Sequence, residues 1–372
     1  MVGRPSLEPE SVHLGSELAA DQVQEIDLDS IFHPFQCGET SMTKAGTFLA
    51  SALLTVLSQV ACAAEEAAFN PVEMISAFEG TFGVHPGLRR NHAKGTCAVG
   101  EFIGNADGAR YSRSALFSGQ AIPVIARFSL DGGNPQQSDA AKAVQGMALE
   151  FKLPGGGLQH MTMVNVPVFF ATPEGFRDLV LALKPDPATG APNPDVFKAF
   201  TAKHPDFNPL GAAIQGRNPF VGFDTSFYNS LHAFWFVDKN DKKTLVRWHF
   251  EPVDGVKNLT DEEASKAPAN FLEPALIART QKSPAKWDMY ITLGQPGDAE
   301  NDPSQVWPAD RQKVKVGTLS ITQAMAQKDG SCGPINFDPI VVADGIQITD
   351  DPVLKARSSS YAVSFGKRMS GQ

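Results

Sequence analysis

The sequence has 372 residues, of which 42% are hydrophobic and 20% are charged, so it can form one large domain or two of ordinary size. Its formal net charge of -9 comes from 32 basic and 41 acidic side chains. Because proteins that bind nucleic acid need an excess of Lys and Arg, this charge argues against a nucleic-acid partner. Most of the negative charge lies at the start: residues 1–41 carry a net charge of -7, whereas residues 64–372 carry -3.

The first 63 residues predict two segments that precede the folded part. Residues 1–41 are acidic and lack periodicity, which indicates a disordered extension or an artefact of an upstream start codon. Residues 42–63 begin at Met42, contain a short apolar run and end at Ala61-Cys62-Ala63, the pattern of a secretory signal peptide, with a buried or amphipathic helix as the alternative. A start at Met42 predicts a periplasmic or secreted protein with no stable membrane insertion after cleavage. A cytoplasmic location is expected if the long N-terminus is real and blocks export.

Residues 64–372 predict a single domain of strands and helices. Apolar-rich runs bounded by Gly, Pro and Asn indicate strands at residues 92–103, 122–130, 144–153, 161–170, 231–237, 244–252, 287–293 and 313–321. Amphipathic patterns indicate helices at residues 173–183, 195–203, 261–266 and 273–281. A polar turn at 238–243 joins two of the strands as a hairpin. Two groups of four strands with helices between them are typical of an α+β fold built on an antiparallel barrel or sandwich.

Four stretches combine polar and apolar residues in a way that a core alone does not require. Each also has a plain structural explanation: a buried histidine, an ion-paired arginine, a capped turn or a surface pair on a helix. The four stretches contain Arg89 and His92; Arg127 and Ser129; Asn165 and Phe170; and Arg357, Tyr361 and Arg368.

Together these stretches resemble the heme catalase family, and in particular its short, often exported branch of catalase-related peroxidases. The resemblance extends from about residue 69 to residue 368, and its most specific motif is His-Ala-Lys-Gly at 92–95 followed far downstream by Arg-x-x-x-Tyr at 357–361. It implies an eight-stranded antiparallel β-barrel with surrounding helices, which is a catalase-like heme domain without the C-terminal domain of large catalases.

The resemblance implies a role around heme b for each candidate residue. Tyr361 would be the proximal iron ligand, and Arg357, one helical turn earlier, would hydrogen-bond its phenolate oxygen. His92 would transfer the proton of the peroxide, Asn165 would orient the peroxide, and Ser129 would hold the histidine ring in place.

The remaining candidates would hold the heme itself. Arg89, Arg127 and Arg368 match arginines that pair with the heme propionates, whose charges are otherwise costly to bury. Phe170 matches an aromatic ring that packs the heme pocket. Peroxide would oxidise the heme, which either a second peroxide or an organic donor would then reduce; the first is catalase activity and the second is peroxidase activity.

The differences between this sequence and large catalases favour peroxidase activity over catalase activity. Ala143 stands where the aspartate of the peroxide channel is expected, and the segments that narrow the route to heme in large catalases are missing. We therefore predict a heme peroxidase that reduces hydrogen peroxide or organic hydroperoxides with a small organic electron donor and has low residual catalase activity. Asn91 replaces the apolar residue that usually precedes the distal histidine, and its role stays open.

Three other functions are compatible with these residues. They are a compact true catalase, a hydroperoxide-rearranging enzyme resembling allene oxide synthase, and an exported heme-binding protein without turnover. The set of His92, Ser129 and Asn165 argues against the last, because heme storage needs no proton transfer. Cys97 is predicted to be a small core residue, while its pairing with Cys332 and the oligomeric state are left open.

Overall fold

The computed structural model describes residues 69–372. The predicted acidic extension (1–41) and signal peptide (42–63) lie outside the described residues. Within residues 69–372, no helix is both long and apolar enough to cross a membrane.

The described chain forms one antiparallel sheet in which eight strands close into a barrel. The strands are β1 (Gly95–Gly104), β2 (Ala121–Leu130), β3 (Gln145–Lys152), β4 (Leu158–Val164), β5 (Tyr228–Asn229), β6 (Phe234–Val237), β7 (Lys243–Pro252), β8 (Ala285–Leu293), β9 (Lys313–Ala326) and β10 (Ile346–Ile348). The ring runs β1-β2-β3-β4-β5-β7-β8-β9 and closes where β9 pairs with β1. The predicted eight-stranded antiparallel barrel is therefore confirmed.

One of the eight predicted strands lies outside the ring. The strand expected at 231–237 is β6, which forms the predicted hairpin with β7 but lies outside the ring and continues the sheet to β10. Its place is taken by β5, where Asn229 pairs with Val164 on one side and Tyr228 pairs with Phe250 on the other. A strand of two residues is too short to give a periodic signal, so only its pairing reveals it.

Helices surround the barrel, and several begin with the same local chemistry. A polar capping side chain accepts backbone N–H groups and a proline follows at the first helical position, as at Asn70, Thr172, Asn193 and Asp351. The helices are α1 (Pro71–Phe82), α2 (Ala106–Tyr111), α3 (Pro173–Ala182), α4 (Pro194–Lys203), α5 (Phe207–Gln215), α6 (Asp261–Lys266), α7 (Leu272–Lys282) and α8 (Pro352–Met369). Of these, α1, α2 and α5 were not predicted, and α8 carries the Arg-x-x-x-Tyr motif.

The alternation of side chains along each strand separates the core from the site. In β2, Val124, Ala126 and Phe128 are buried in the barrel core, where the ring of Phe128 stacks on Trp287 with centroids 5.5 Å apart. Arg127 lies between two of these residues in the sequence and therefore projects to the outer face. Helices and loops cover this part of the outer face, so Arg127 and Ser129 are buried there and the barrel has a second buried surface.

Candidate active site

A cavity lies between the outer face of the barrel and helices α1, α3, α5 and α8. Much of its wall is apolar, with Met74 from α1, Phe176 from α3 and Ile214 near the end of α5. The cavity brings together seven of the nine predicted site residues from distant parts of the chain: Arg89, His92, Arg127, Ser129, Arg357, Tyr361 and Arg368.

His92 lies just before β1 and has a left-handed backbone with φ of 56°, which is uncommon for a residue other than glycine. The side-chain oxygen of Asn91 holds this conformation, because it accepts the N–H of His92 at 2.9 Å and the N–H of Gly132 at 2.8 Å. This contact gives Asn91 a structural role that its sequence position left open. The strand predicted at 92–103 starts later, at Gly95, because the backbone turns at His92.

The ring of His92 is held between Ser129 and Gly146. Its Nδ1 atom lies 3.0 Å from Ser129 Oγ, and a Cβ atom on Gly146 would lie 2.9 Å from His92 Cε1. Burial, together with the positive charges of Arg127, Arg357 and Arg89, lowers the pKa of His92 to about 3. The ring is therefore neutral near pH 7 and can accept a proton at its free nitrogen. Asp131, two positions after Ser129, lines the same cavity. We call Asn91, His92, Ser129, Asp131 and Gly146 the histidine wall.

Tyr361 lies on α8 at the half-buried end of a chain of hydrogen bonds whose other end, His232 with Asp351, is fully buried. Arg357 donates from Nη2 to Tyr361 Oη at 3.1 Å and from Nη1 to His232 Nε2 at 2.9 Å, while His232 Nδ1 lies 2.7 Å from Asp351 Oδ2. Because arginine is only a donor, His232 accepts at Nε2 and donates its Nδ1–H to Asp351. Burial lowers the pKa of His232, in agreement with this neutral form. We call Asp351, His232, Arg357 and Tyr361 the tyrosine relay.

The arginines of the cavity have no carboxylate partner among the described residues. Arg89 donates to the carbonyls of Cys332 and Ile335, Arg127 donates to the carbonyl of His92 and the amide of Gln327, and Arg368 donates to the carbonyl of Ile335.

This lack of counter-charge appears in the pKa values and in unpaired atoms. Burial and the neighbouring guanidinium groups lower the pKa of Arg89 to about 7 and that of Arg127 to about 9. Arg368 Nε and Nη1 are buried without any partner. A bound group with two carboxylates, such as heme with its two propionates, would satisfy these donors. The residues present therefore fit heme.

Two predicted residues do not reach the cavity wall. Asn165 lies just beyond the end of β4, and its side-chain oxygen accepts the backbone N–H of Gln145 and a hydrogen bond from Arg217. Asn165 Nδ2 is buried without a partner. Val164 instead lines the cavity. The predicted role of Asn165 toward peroxide stays a prediction.

Phe170 is likewise one position away from the residue that lines the cavity. Its ring is fully buried and stacks on Phe207 with centroids 5.9 Å apart, whereas Phe169 lines the cavity. The strand expected at 161–170 ends at Val164, so both phenylalanines lie in the loop that follows.

Sequence reasoning did not find several residues of the site. His232 and Asp351 lie 119 positions apart, and no local spacing signals their contact. Gly146 is required because no side chain fits beneath His92. Asp131 could have been predicted from the sequence, because it follows Ser129 by two positions and its side chain therefore lies on the same face as that of Ser129.

The two cysteines left open by the sequence form a disulfide. Cys97 and Cys332 have Cα atoms 5.5 Å apart and are 235 residues apart in the chain. The carbonyl of Cys332 accepts from Arg89 at 3.1 Å, so the disulfide lies next to the arginine side of the cavity. Cys97 is buried, as predicted, but as half of a disulfide.

Comparison with known proteins identifies relatives of this chain. A family model described as Catalase matches residues 87–372. A catalase-related peroxidase from Synechococcus elongatus is 53% identical over 303 residues, covering 81% of this chain and 89% of the relative. A second catalase-related peroxidase, from Mycolicibacterium paratuberculosis, is 34% identical over 304 residues, covering 80% of this chain and 95% of the relative.

Larger catalases match over a smaller share of their own length. The catalase of Schizosaccharomyces pombe is 28% identical over 75% of this chain and 57% of its own sequence. The structure of catalase A from Saccharomyces cerevisiae superimposes with a TM-score of 0.70 at 25% identity, covering 77% of this chain and 62% of that chain. The chain thus spans roughly three-fifths of the length of these larger catalases.

Proposed function

Because this chain belongs to the catalase family, whose members use heme and act on peroxide, we propose that it is a heme peroxidase that reduces hydrogen peroxide or organic hydroperoxides with a small organic electron donor. The observation that carries the proposal is the single cavity that contains His92 with Ser129, Tyr361 with Arg357, and three arginines without carboxylate partners. Two relatives described as catalase-related peroxidases support the choice of peroxidase over catalase.

The residues of the cavity divide the task of holding heme b. Tyr361 would supply an oxygen ligand to the heme iron, and Arg357 would stabilise the negative charge of that oxygen through the hydrogen bond between them. Arg89, Arg127 and Arg368 would pair with the propionates. When bound, heme supplies the redox centre at which the peroxide O–O bond is cleaved.

The chain contributes proton transfer and orientation. Neutral His92 takes the proton from one peroxide oxygen and delivers it to the other, which leaves as water, or as an alcohol from an organic hydroperoxide. Ser129 Oγ holds His92 Nδ1, so the opposite nitrogen faces the cavity. The organic donor supplies two electrons and two protons, which convert the remaining peroxide oxygen to water and complete each reduction of peroxide. The low catalase activity that we propose follows from preference for this donor over a second peroxide.

The test is the rate of oxygen release from hydrogen peroxide by heme-loaded protein, with and without an oxidisable phenol. We expect slow oxygen release and fast oxidation of the phenol. Fast oxygen release that the phenol does not affect would identify a compact catalase. Isomerisation of a fatty-acid hydroperoxide without any donor would identify a rearranging enzyme, and heme uptake without reaction would identify a binding protein.

We further propose that the protein is exported. The disulfide between Cys97 and Cys332 supports this, because disulfides persist mainly in oxidising compartments. Fractionation of cells followed by N-terminal sequencing tests it: a periplasmic or secreted form that begins near residue 64 is expected, and an intact N-terminus in the cytoplasm would contradict it.

A further inference from the structure

Asp131 is a half-buried acid that the proposed reaction does not use. It follows β2 directly and lies two positions after Ser129, so its side chain faces the same cavity as the hydroxyl that holds His92. Among the described residues that line the cavity, Asp131 is the one that carries a carboxyl group.

Hydrogen bonds fix this carboxyl group in place. Asp131 Oδ1 accepts the N–H of Val144 at 3.0 Å, and the N–H of Asp131 donates to the carbonyl of Val144 at 2.8 Å. Asp131 Oδ2 has no hydrogen-bond partner within residues 69–372, and the side chain forms no ion pair there. One oxygen is therefore clamped and the other is available to whatever occupies the cavity.

The surroundings of Asp131 affect both the strength and the pH dependence of its negative charge. Val144, Val164 and Val166 line the same cavity, so part of the wall around the carboxylate is apolar and a charge there is less screened than in water. Burial raises the pKa of Asp131 to about 6, although hydrogen bonds from the backbone oppose the shift. The carboxyl is thus charged at neutral pH and neutral in mild acid. None of the other titratable groups of the cavity wall forms a hydrogen bond with Asp131. These groups are His92, Tyr361, His232, Arg89, Arg127, Arg357 and Arg368.

We propose that Asp131 is a specificity-determining residue whose carboxylate makes the cavity beside His92 admit neutral and cationic ligands and disfavour anions. This inference rests on the proposed function, because it takes the cavity to be the place where peroxide meets heme. The substrate class that follows is uncharged hydroperoxides, rather than peroxides whose own carboxylate must enter beside His92.

The test compares heme-loaded wild type with Asp131→Asn, whose amide oxygen can still accept from Val144. Binding of azide, an anion, and of nitric oxide, a neutral ligand, is followed by the optical spectrum of the ferric heme. At about pH 7.5 we expect azide to bind Asp131→Asn about tenfold more tightly than wild type, while the affinity for nitric oxide is unchanged. At about pH 5 the difference for azide should shrink to twofold or less, because Asp131 is then protonated.

Asp107→Asn is the matched control, since it removes one negative charge from an exposed side chain outside the cavity. Its azide affinity should equal that of wild type. Two outcomes would overturn the inference about Asp131 and leave the proposed function standing. They are equal azide affinities for wild type and Asp131→Asn at about pH 7.5, or an equal change in affinity for azide and for nitric oxide. Failure of the chain to take up heme would overturn the proposed function and the inference with it.

A second measurement avoids dependence on azide. The ratio of kcat/KM for neutral tert-butyl hydroperoxide to that for a hydroperoxide bearing a carboxylate should fall about tenfold in Asp131→Asn. An unchanged ratio would contradict the assigned selectivity, even if the overall activity of the variant differs.

Discussion

The tyrosine relay and the histidine wall face the same cavity but are held by different kinds of contact. In the relay, side chains bond to side chains from Asp351 to Tyr361, and both Asp351 and His232 are almost completely buried. In the wall, side chains are held largely by backbone: Asn91 accepts from two N–H groups, and Gly146 provides a flat surface beneath His92. The relay therefore depends on which residues are present, and the wall depends on where the chain turns.

This difference predicts how each region responds to substitution. Loss of one relay member leaves a buried charge without its partner, which is a cost to stability. Loss of a wall member alters the position of one ring and so affects the reaction first. The four predictions that follow test this contrast from the largest expected effect to the smallest.

The largest effect is expected for the acid-base group of the wall. Replacement His92→Ala should lower kcat/KM of the peroxidase reaction about 10³-fold, because no group remains to transfer the proton between the peroxide oxygens. The free energy of unfolding should change little compared with this loss. Steady-state kinetics with hydrogen peroxide and a phenol measure it, with His85→Ala outside the cavity as control. Unchanged kinetics in His92→Ala would remove the basis of the proposed mechanism.

The relay should respond chiefly in stability. Replacement His232→Leu leaves Asp351 buried without its imidazole partner and should lower the free energy of unfolding by about 3 kcal/mol. The control is His249→Leu, whose partner Glu251 is half exposed, so its loss should cost less than about 1 kcal/mol. Denaturant unfolding measures both, and similar values for the two variants would show that the relay is not a buried unit.

A smaller effect is expected where the wall is held by Asn91. Replacement Asn91→Ala removes the acceptor for two N–H groups and frees the left-handed backbone of His92, so kcat should fall between about 10- and 100-fold. Asn91→Asp keeps an oxygen at that position and should restore most of the activity. A positioning role would be contradicted if both variants lost activity equally, or if KM rather than kcat carried the change.

The smallest effect concerns Asp131 and depends on pH. Because the folded-state pKa of Asp131 is raised to about 6, the unfolded chain loses this proton at lower pH than the folded chain does. The free energy of unfolding of the wild type therefore decreases as the pH rises from about 4 to about 6. In Asp131→Asn, which has no carboxyl group at this position, that decrease should be absent. Asp131 is partly exposed, so the effect is reduced by solvent screening. We expect the difference in free energy of unfolding between variant and wild type to be about 1 kcal/mol more favourable to the variant above pH 6 than at pH 4. Thermal unfolding across this range measures it, and a difference that does not vary with pH would contradict the raised pKa.

Much of this site follows from sequence motifs, and its limits have a structural cause. Arg357 and Tyr361 lie four positions apart on one helix, so their contact is local and predictable. Asn165 and Phe170 are each one position from the residue that lines the cavity. Both residues lie beyond the end of β4, where strand alternation no longer determines which side chain faces the cavity. The contact of His232 with Asp351 depends on the closed barrel and has no local signal at all.

The disulfide sets the route by which a bound cofactor can leave. It joins β1 to the segment whose carbonyls hold Arg89 and Arg368, so the arginine side of the cavity cannot separate from the barrel while this bond is intact. Another part of the cavity wall is formed by α3 and α5, which pack with α4 through phenylalanine rings, and these three helices contain no cysteine. Loading and loss of the cofactor should therefore proceed through movement of these helices, which makes their packing, rather than the arginines, the control of exchange rate.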